Sequence, residues 1–204
     1  MRSNESKMSI LKAALGTVAT VRAVHVFRDH PPVYSDDGDA HALTTRDLLA
    51  QWPLSYTVLR KVKLTEDHQK SILKPGEVLL PSRGDYYMAR HYNSTNDRVV
   101  PVGLMHVITA QSEILMPQFL AWFINQPAAQ QYLKNSLVGT SIRSLNKASL
   151  VTLPISIPAM QVQQKIARLQ ELQMERSIIE RRCTMLNEDE IQAVCQNILS
   201  KASS

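Results

Sequence analysis

Apolar positions recur with two different periods along this chain, and the change falls at Pro158. Before it, short apolar runs are separated by Pro, Gly and Asp. Leu15 to Phe27 (LGTVATVRAVHVF) is rich in β-branched residues and predicts one strand or a bent pair. A polar, turn-rich stretch follows from Arg28 to Asp39. His41 to Thr44 predicts a short strand, and Thr45-Arg46-Asp47-Leu48-Leu49 a helical turn capped by Thr45. Ser55 to Leu64 alternates again. Lys74-Pro75-Gly76-Glu77 has Pro second and Gly third, the pattern of a tight turn, and it launches a strand over Val78 to Pro81. Val99 to Thr109 predicts a further extended stretch. Pro117 suits the first turn of a helix whose face is Phe119, Leu120, Phe123 and Ile124. A second helix is expected over Ala128 to Leu137, then a loop at Val138 to Ser141 and an extended segment from Leu153 to Pro158.

After Pro158 the period becomes helical. Gln161 to Arg182 contains no Gly or Pro and is rich in Gln, Glu, Arg, Leu and Ile. Leu172, Ile179 and Leu186 recur at seven-residue spacing, with Val162, Ile166 and Leu169 on the preceding turns. Asn187-x-x-Glu190 has the spacing of a capping box and predicts the start of a last helix. Its face is Ile191, Val194, Cys195, Ile198 and Leu199. The expected fold class is α+β: one domain with a mixed or curved β-sheet and short helices over residues 1–158, then a coiled-coil-like helical arm over 159–204. The apolar faces of the arm need cover from each other, from the first domain or from another copy of the chain.

Charge sharpens this division. The net charge of +5 sits wholly in residues 1–156, which hold 17 Lys+Arg against 12 Asp+Glu, while residues 157–204 hold six of each. No acid occurs between Glu113 and Glu171, where Lys134, Arg143, Lys147, Lys165 and Arg168 lie. An acid-free stretch is what a phosphate-facing surface needs, since one misplaced carboxylate opposes several contacts. Chance sampling of a weakly charged core is the plain alternative.

Several chemistries lack their residues. Cys183 and Cys195 are too few for a disulfide framework or a thiolate zinc site. The six histidines, His25, His30, His41, His68, His91 and His106, show no metal-ligand spacing. Glu77, Asp85 and Asp97 do not form the carboxylate cluster of a metal-dependent nuclease, and no Walker loop, nucleophile elbow or Cys–His pair is present. Asp29-His30-Pro31-Pro32-Val33-Tyr34 resembles the Asp/Asn-Pro-Pro-aromatic loop of amino-methyltransferases. The inserted His30 and Val33 displace the acid and the ring, so a surface turn is expected. Metal sites, cofactor sites and catalysis are therefore not expected in this chain. Lys12 interrupts the apolar run near the N-terminus, which argues against a signal peptide. No apolar run reaches the length of a membrane span, and a cytoplasmic location is expected.

An ordered set of segments resembles the DNA-specificity (S) subunits of type I restriction-modification systems. Leu15 to Val21 resembles the opening strand of a target recognition domain. Lys74 to Gly84 (KPGEVLLPSRG) is similar to the family's mid-domain strand and turn. The fullest likeness runs through Leu115-Met116-Pro117-x-Phe119-Leu120, Gly139-Thr140-Ser141-Ile142, Leu145 and Leu150. It ends in Leu153-Pro154-Ile155-x-Ile157-Pro158 and Gln163-Gln164-Lys165-Ile166, with Gln163 where the family has an acid. The likeness covers residues 15–182. Full S subunits resemble two such units in tandem, and only one is present, so the chain resembles the half-length form.

The resemblance implies a specificity subunit without catalysis that binds double-stranded DNA and pairs as a homodimer to read a two-part site. About 22 helical residues at 1.5 Å each span roughly 33 Å, comparable to one duplex turn of about 34 Å. It further implies a partner adenine methyltransferase (modification) subunit carrying S-adenosylmethionine, with a restriction subunit as a further partner. The candidate DNA contacts are Arg83, Arg90, His91, Asn93 and Asn96 in turn-like segments. A second group is Gly139, Thr140, Ser141, Arg143, Asn146 and Lys147, where small residues let backbone N–H groups approach phosphate. Arg28, Arg46, Lys61 and Lys63 are weaker candidates. Leu172, Ile179, Leu186, Ile191, Val194 and Ile198 are the candidate interface between copies or with the methyltransferase. A homodimeric DNA-binding regulator without a methyltransferase partner is the alternative, although no helix-turn-helix or ribbon motif is evident.

Overall fold

The computed structural model describes residues 10–24, 33–50, 52, 59–84, 86–95, 97–139 and 143–202. The chain opens with β1 (Leu11–Ala14), α1 (Leu15–Val18) and β2 (Ala19–Ala23). Next come β3 (Val33–Tyr34), β4 (Ala40–Leu43), α2 (Thr45–Leu49), β5 (Lys61–Lys63) and α3 (Glu66–Gln69). The centre holds β6 (Glu77–Pro81), β7 (Arg90–His91), β8 (Val99–Pro101) and β9 (Met105–Ala110). Then follow α4 (Pro117–Ile124), α5 (Pro127–Asn135), α6 (Lys147–Val151), β10 (Pro154–Ile157) and α7 (Met160–Ala202). The fold is α+β, as the sequence predicts, and it resolves into two compact units, Met1–Gln164 and Lys165–Ser204.

In the first unit, two four-stranded sheets share a core. One runs β2-β9-β6-β7, antiparallel throughout; the other runs β3-β5-β4-β8, with β4 and β8 parallel. Leu79, Met105 and Val107 of the first sheet meet Leu43 and Val99 of the second, with Leu48, Leu73 and Tyr92 filling between them. Helices α2 and α4 both pack on β6, and all five of its residues are buried. A strand covered on both faces reads as an unbroken apolar run, which Val78-Leu79-Leu80 is. Lys74–Glu77 forms the predicted turn, closed by the Glu77 N–H donating to the Lys74 carbonyl at 3.2 Å. Gly76 takes φ +91° there, a conformation open to glycine at no steric cost. The Glu77 carboxylate, buried, accepts from Arg22 Nη2 at 3.1 Å and from the Lys74 N–H at 2.8 Å. Its charge is therefore paired as well as desolvated.

A separate two-stranded ladder joins β1 to β10, with Leu11 opposite Ile157 and Ala14 opposite Pro154. It ties the start of the described chain to the segment that leads into α7. Gln163, in the first turn of α7, is buried and fully used. Its Nε2 donates to the carbonyls of Ile114 and Pro158, each at 2.9 Å, and its Oε1 accepts from the Met116 N–H at 2.8 Å.

Four expectations need correction. Leu15–Phe27 is not extended throughout: Leu15–Val18 is a helical turn, because Leu15 and Val18 bury one turn apart and the Leu15 N–H donates to the Leu153 carbonyl. Residues 25–27 lie outside the described part. The cap of α2 is Thr44, not Thr45; its hydroxyl accepts from the Asp47 N–H while Asp47 accepts from the Thr44 N–H. Val99–Thr109 divides into β8 and β9, which belong to different sheets. Last, Asn187 starts no new helix: α7 runs unbroken for 43 residues.

Taken by itself, the second unit is the remainder of α7. Arg168 pairs with Glu171 and Glu175, and Arg176 with Glu180, along its surface. Leu172, Ile179, Leu186, Ile191, Val194 and Ile198 are all exposed.

Candidate nucleic-acid interface

Past Pro81 the backbone of β6 continues into a set of pairings between segments far apart in sequence. The Ser82 N–H donates to the Leu104 carbonyl at 2.9 Å, and the Leu145 N–H donates to the Ser82 carbonyl at 2.8 Å. Arg83 bridges antiparallel to Ser144, and Ser144 exchanges both backbone bonds with Val138, at 3.0 and 2.9 Å. Leu104, Ser82–Arg83, Ser144–Leu145 and Val138 thus stand side by side. Arg83 and the described part of the second candidate group, Gly139 and residues 143–147, are separate in the sequence and come together here. Arg83, Arg143 and Lys147 are exposed, and no described acid pairs with any of them. Gly139, exposed at φ +109°, turns the chain away from Val138. Thr140 and Ser141 lie outside the described residues.

The 143–147 segment is held from beneath. His106 on β9 is buried, and its Nε2 lies 2.8 Å from the Leu145 carbonyl, so the ring donates there. Its Nδ1 is buried with no hydrogen-bond partner among the described residues. Burial pulls the His106 pKa below the ordinary imidazole value; the Leu145 carbonyl opposes this, and the charge of Lys147 adds to it. Asn146 serves as the cap of α6, its Oδ1 accepting from the Ser149 N–H at 2.7 Å. Its Oδ1 is therefore committed to the fold, while Lys147 projects from the first helical position.

The other candidates are placed differently. Arg90 lies on β7, half-buried, with Nε 3.4 Å from the Leu48 carbonyl and its guanidinium 5.7 Å from the Trp52 ring centre. Burial lowers its pKa. It braces α2 more than it faces solvent. His91 pairs opposite Val78 and is half-buried, Asn93 is exposed, and Asn96 lies outside the described residues. Arg46, Lys61 and Lys63 are exposed on α2 and β5, Lys63 with Asp37 at 3.9 Å; Arg28 lies outside. Of the histidines, His68 closes the first turn of α3 by accepting from the Thr65 N–H at 3.0 Å, and His25 and His30 lie outside with 29–32. Among the described residues no group of three His, Cys, Asp or Glu could hold a metal ion, and no helix is long and apolar enough to cross a membrane.

One stretch escaped the sequence reading. In Tyr86-Tyr87-Met88-Ala89, Tyr87 and Ala89 are buried while Tyr86 and Met88 are exposed. The available signal was the period-2 register set by Ala89, two residues after Tyr87.

Comparison with known proteins bears on this surface. The sequence profile of the family described as type I restriction modification DNA specificity domain matches residues 33–182. Sequence comparison with curated proteins gives no significant match. Among solved structures, the S subunit of a type I restriction-modification system from M. genitalium is similar with a TM-score of 0.57 at 12% identity, over 86% of this chain and 41% of that one. The HsdS subunit from Thermoanaerobacter tengcongensis gives 0.57 at 17% identity, over 89% and 47%. A chain from a study of complex assembly and conformational transition of the type I R-M system gives 0.65 at 15% identity, over 98% and 48%. At such identities the likeness is one of fold, and this chain spans less than half the length of each of these three. With the profile match extending over most of its sequence, the chain belongs to the type I restriction-modification DNA specificity domain family.

Proposed function

We propose that this chain chooses the DNA sequence for a type I restriction-modification enzyme and leaves the chemistry to its partners. The observation that carries the reading is the surface built by Arg83, Arg143 and Lys147, whose charges have no described acid partner. Cations of this kind bind phosphates and fix register, while polar side chains elsewhere on the domain, such as the exposed Asn93, read base edges. Residues 1–158 form the recognition domain. Residues 159–204 form a spacer through which two copies pair across a two-fold axis, each burying the same apolar face. The pair then meets a two-part site with inverted identical halves. An adenine methyltransferase subunit, holding S-adenosylmethionine, docks on the assembly in the cytoplasm, and a nuclease-translocase subunit joins it. The chain itself holds no cofactor or metal.

The test is co-expression with a modification subunit in a host lacking N6-methyladenine, followed by mapping of methylated adenines. Methylation confined to one two-part inverted sequence, and absent without this chain, is expected. The same methylated sites with the modification subunit alone would overturn the proposal.

A further inference from the structure

We infer that Tyr86 and Met88 form an apolar tip that touches base edges in a DNA groove and sets part of the sequence preference. This rests on the DNA-reading role proposed above. Tyr86 is 70% exposed, more than any other described large apolar or aromatic residue. Among the described residues it has no hydrogen bond or ring partner. An isolated exposed tyrosine means little, but this one is presented by a fixed backbone. The Ala89 N–H donates to Asn125 Oδ1 at 2.7 Å, and Asn125 Nδ2 donates back to the Ala89 carbonyl at 3.0 Å. Gln130 Nε2 donates to the Tyr87 carbonyl at 2.8 Å. With Tyr87 and Ala89 anchored inside, the outward residues lose little backbone freedom on contact.

Position supplies the occupant. Tyr86 lies three residues beyond Arg83, which bridges to Ser144 between Arg143 and Leu145. Leu104 and Val138, on the paired segments either side, are exposed as well. Cations with no acid partner among the described residues, beside exposed apolar groups, complement a polyanion whose grooves carry apolar base edges such as the thymine methyl. A purely apolar surface would instead suit a protein partner.

The test compares Tyr86→Ala, Tyr86→Phe and Arg143→Ala in the assembled complex with the modification subunit. Affinity is measured over a range of salt for duplexes that the wild type selects from a random pool, and for scrambled duplexes. Tyr86→Ala is expected to lower affinity for the selected sequence about 10-fold, the scale of losing one base-specific contact in a duplex site. Binding to scrambled DNA and the salt slope stay unchanged, and Tyr86→Phe behaves as wild type. Arg143→Ala weakens both duplexes and lowers the salt slope by about one. An unchanged ratio of selected to scrambled affinity in Tyr86→Ala overturns the inference. So does loss of the modification subunit from that variant, which would make the tip a protein contact. If the wild type prefers no duplex at all, the DNA-reading proposal falls, and this inference with it.

Discussion

Leu79 and Leu186 are the same side chain in opposite circumstances. Leu79, on a strand covered from both sides, has no exposed surface, whereas Leu186, on the long C-terminal helix, is 59% exposed. Around Leu79 every apolar neighbour on β6 is buried by this chain alone, and the charge of Glu77 at its end is answered by Arg22. Around Leu186 the residues of the stripe, Leu172, Ile179, Ile191, Val194 and Ile198, are all exposed, and the described ion pairs of the helix are exposed ones within it. Exposed pairs of that kind contribute well under about 1 kcal/mol each. The first unit is stabilised by what it contains. The helix carries an exposed apolar face, which is why the association proposed above is placed there.

The sharpest way to break this contrast is to truncate both leucines. Leu79→Ala should cost about 2–5 kcal/mol in urea or thermal unfolding, since it opens a cavity in a packed interior. Leu186→Ala should move the unfolding of the first unit by less than about 0.5 kcal/mol. Its effect belongs in light scattering, as weaker self-association that returns at higher protein concentration. A Leu186→Ala chain that stays dimeric at every dilution would mean that this face is not what joins two copies.

Gln163→Glu asks a finer question, because it replaces a fully bonded buried amide by an acid of the same shape. Here the amide donates twice and accepts once, and a carboxylate cannot donate. The Ile114 and Pro158 carbonyls would lose their donor, and a charge would be buried, for a loss of about 2–4 kcal/mol at neutral pH. Burial raises a carboxyl pKa, so part of that loss should be recovered as the variant is acidified. A neutral-pH unfolding midpoint equal to wild type would show that the surroundings of Gln163 can rearrange for an acid.

What the sequence disclosed follows the range over which each signal acts. Proline and glycine act on their own backbone, so the Lys74–Glu77 turn, the helix start at Pro117 and the exit strand before Pro158 are legible residue by residue, while the helix expected over Ala128 to Leu137 is Pro127–Asn135. Leu15–Val18 is not, because its helical turn is imposed by distant Leu153. Asn187-x-x-Glu190 misleads in the other direction: capping-box spacing ends nothing when no Gly or Pro interrupts residues 161–202. The same limit governs the candidate interface. Arg83 and Arg143 are individually visible as basic residues near turns, but a bridge between positions 83 and 144 has no local signature. Nor does anything in the sequence distinguish exposed Arg143 from Arg90, which is drawn against Leu48 and Trp52.

The smallest expected effect tests how the interface is held. His106 donates through Nε2 to the Leu145 carbonyl while its buried Nδ1 has no partner among the described residues, so protonation adds a second N–H in a desolvated place. Its folded pKa lies below the ordinary value, chiefly through burial, with the Leu145 carbonyl opposing and Lys147 assisting. Above about pH 6.5 the imidazole is neutral in both folded and unfolded chains and contributes no pH dependence. As pH falls through that value the unfolded chain takes up the proton first, so stability declines until the folded pKa is also passed. Urea midpoints at pH 7.5 and 5.5 should therefore differ, and His106→Gln, which keeps a donor for Leu145 but cannot titrate, should reduce the difference. An equal difference in both proteins would place the proton uptake elsewhere. Because Arg143 and Lys147 flank Leu145, the same acidification should loosen the segment that presents them, and salt-dependent DNA binding should weaken over the same pH window in wild type more than in His106→Gln.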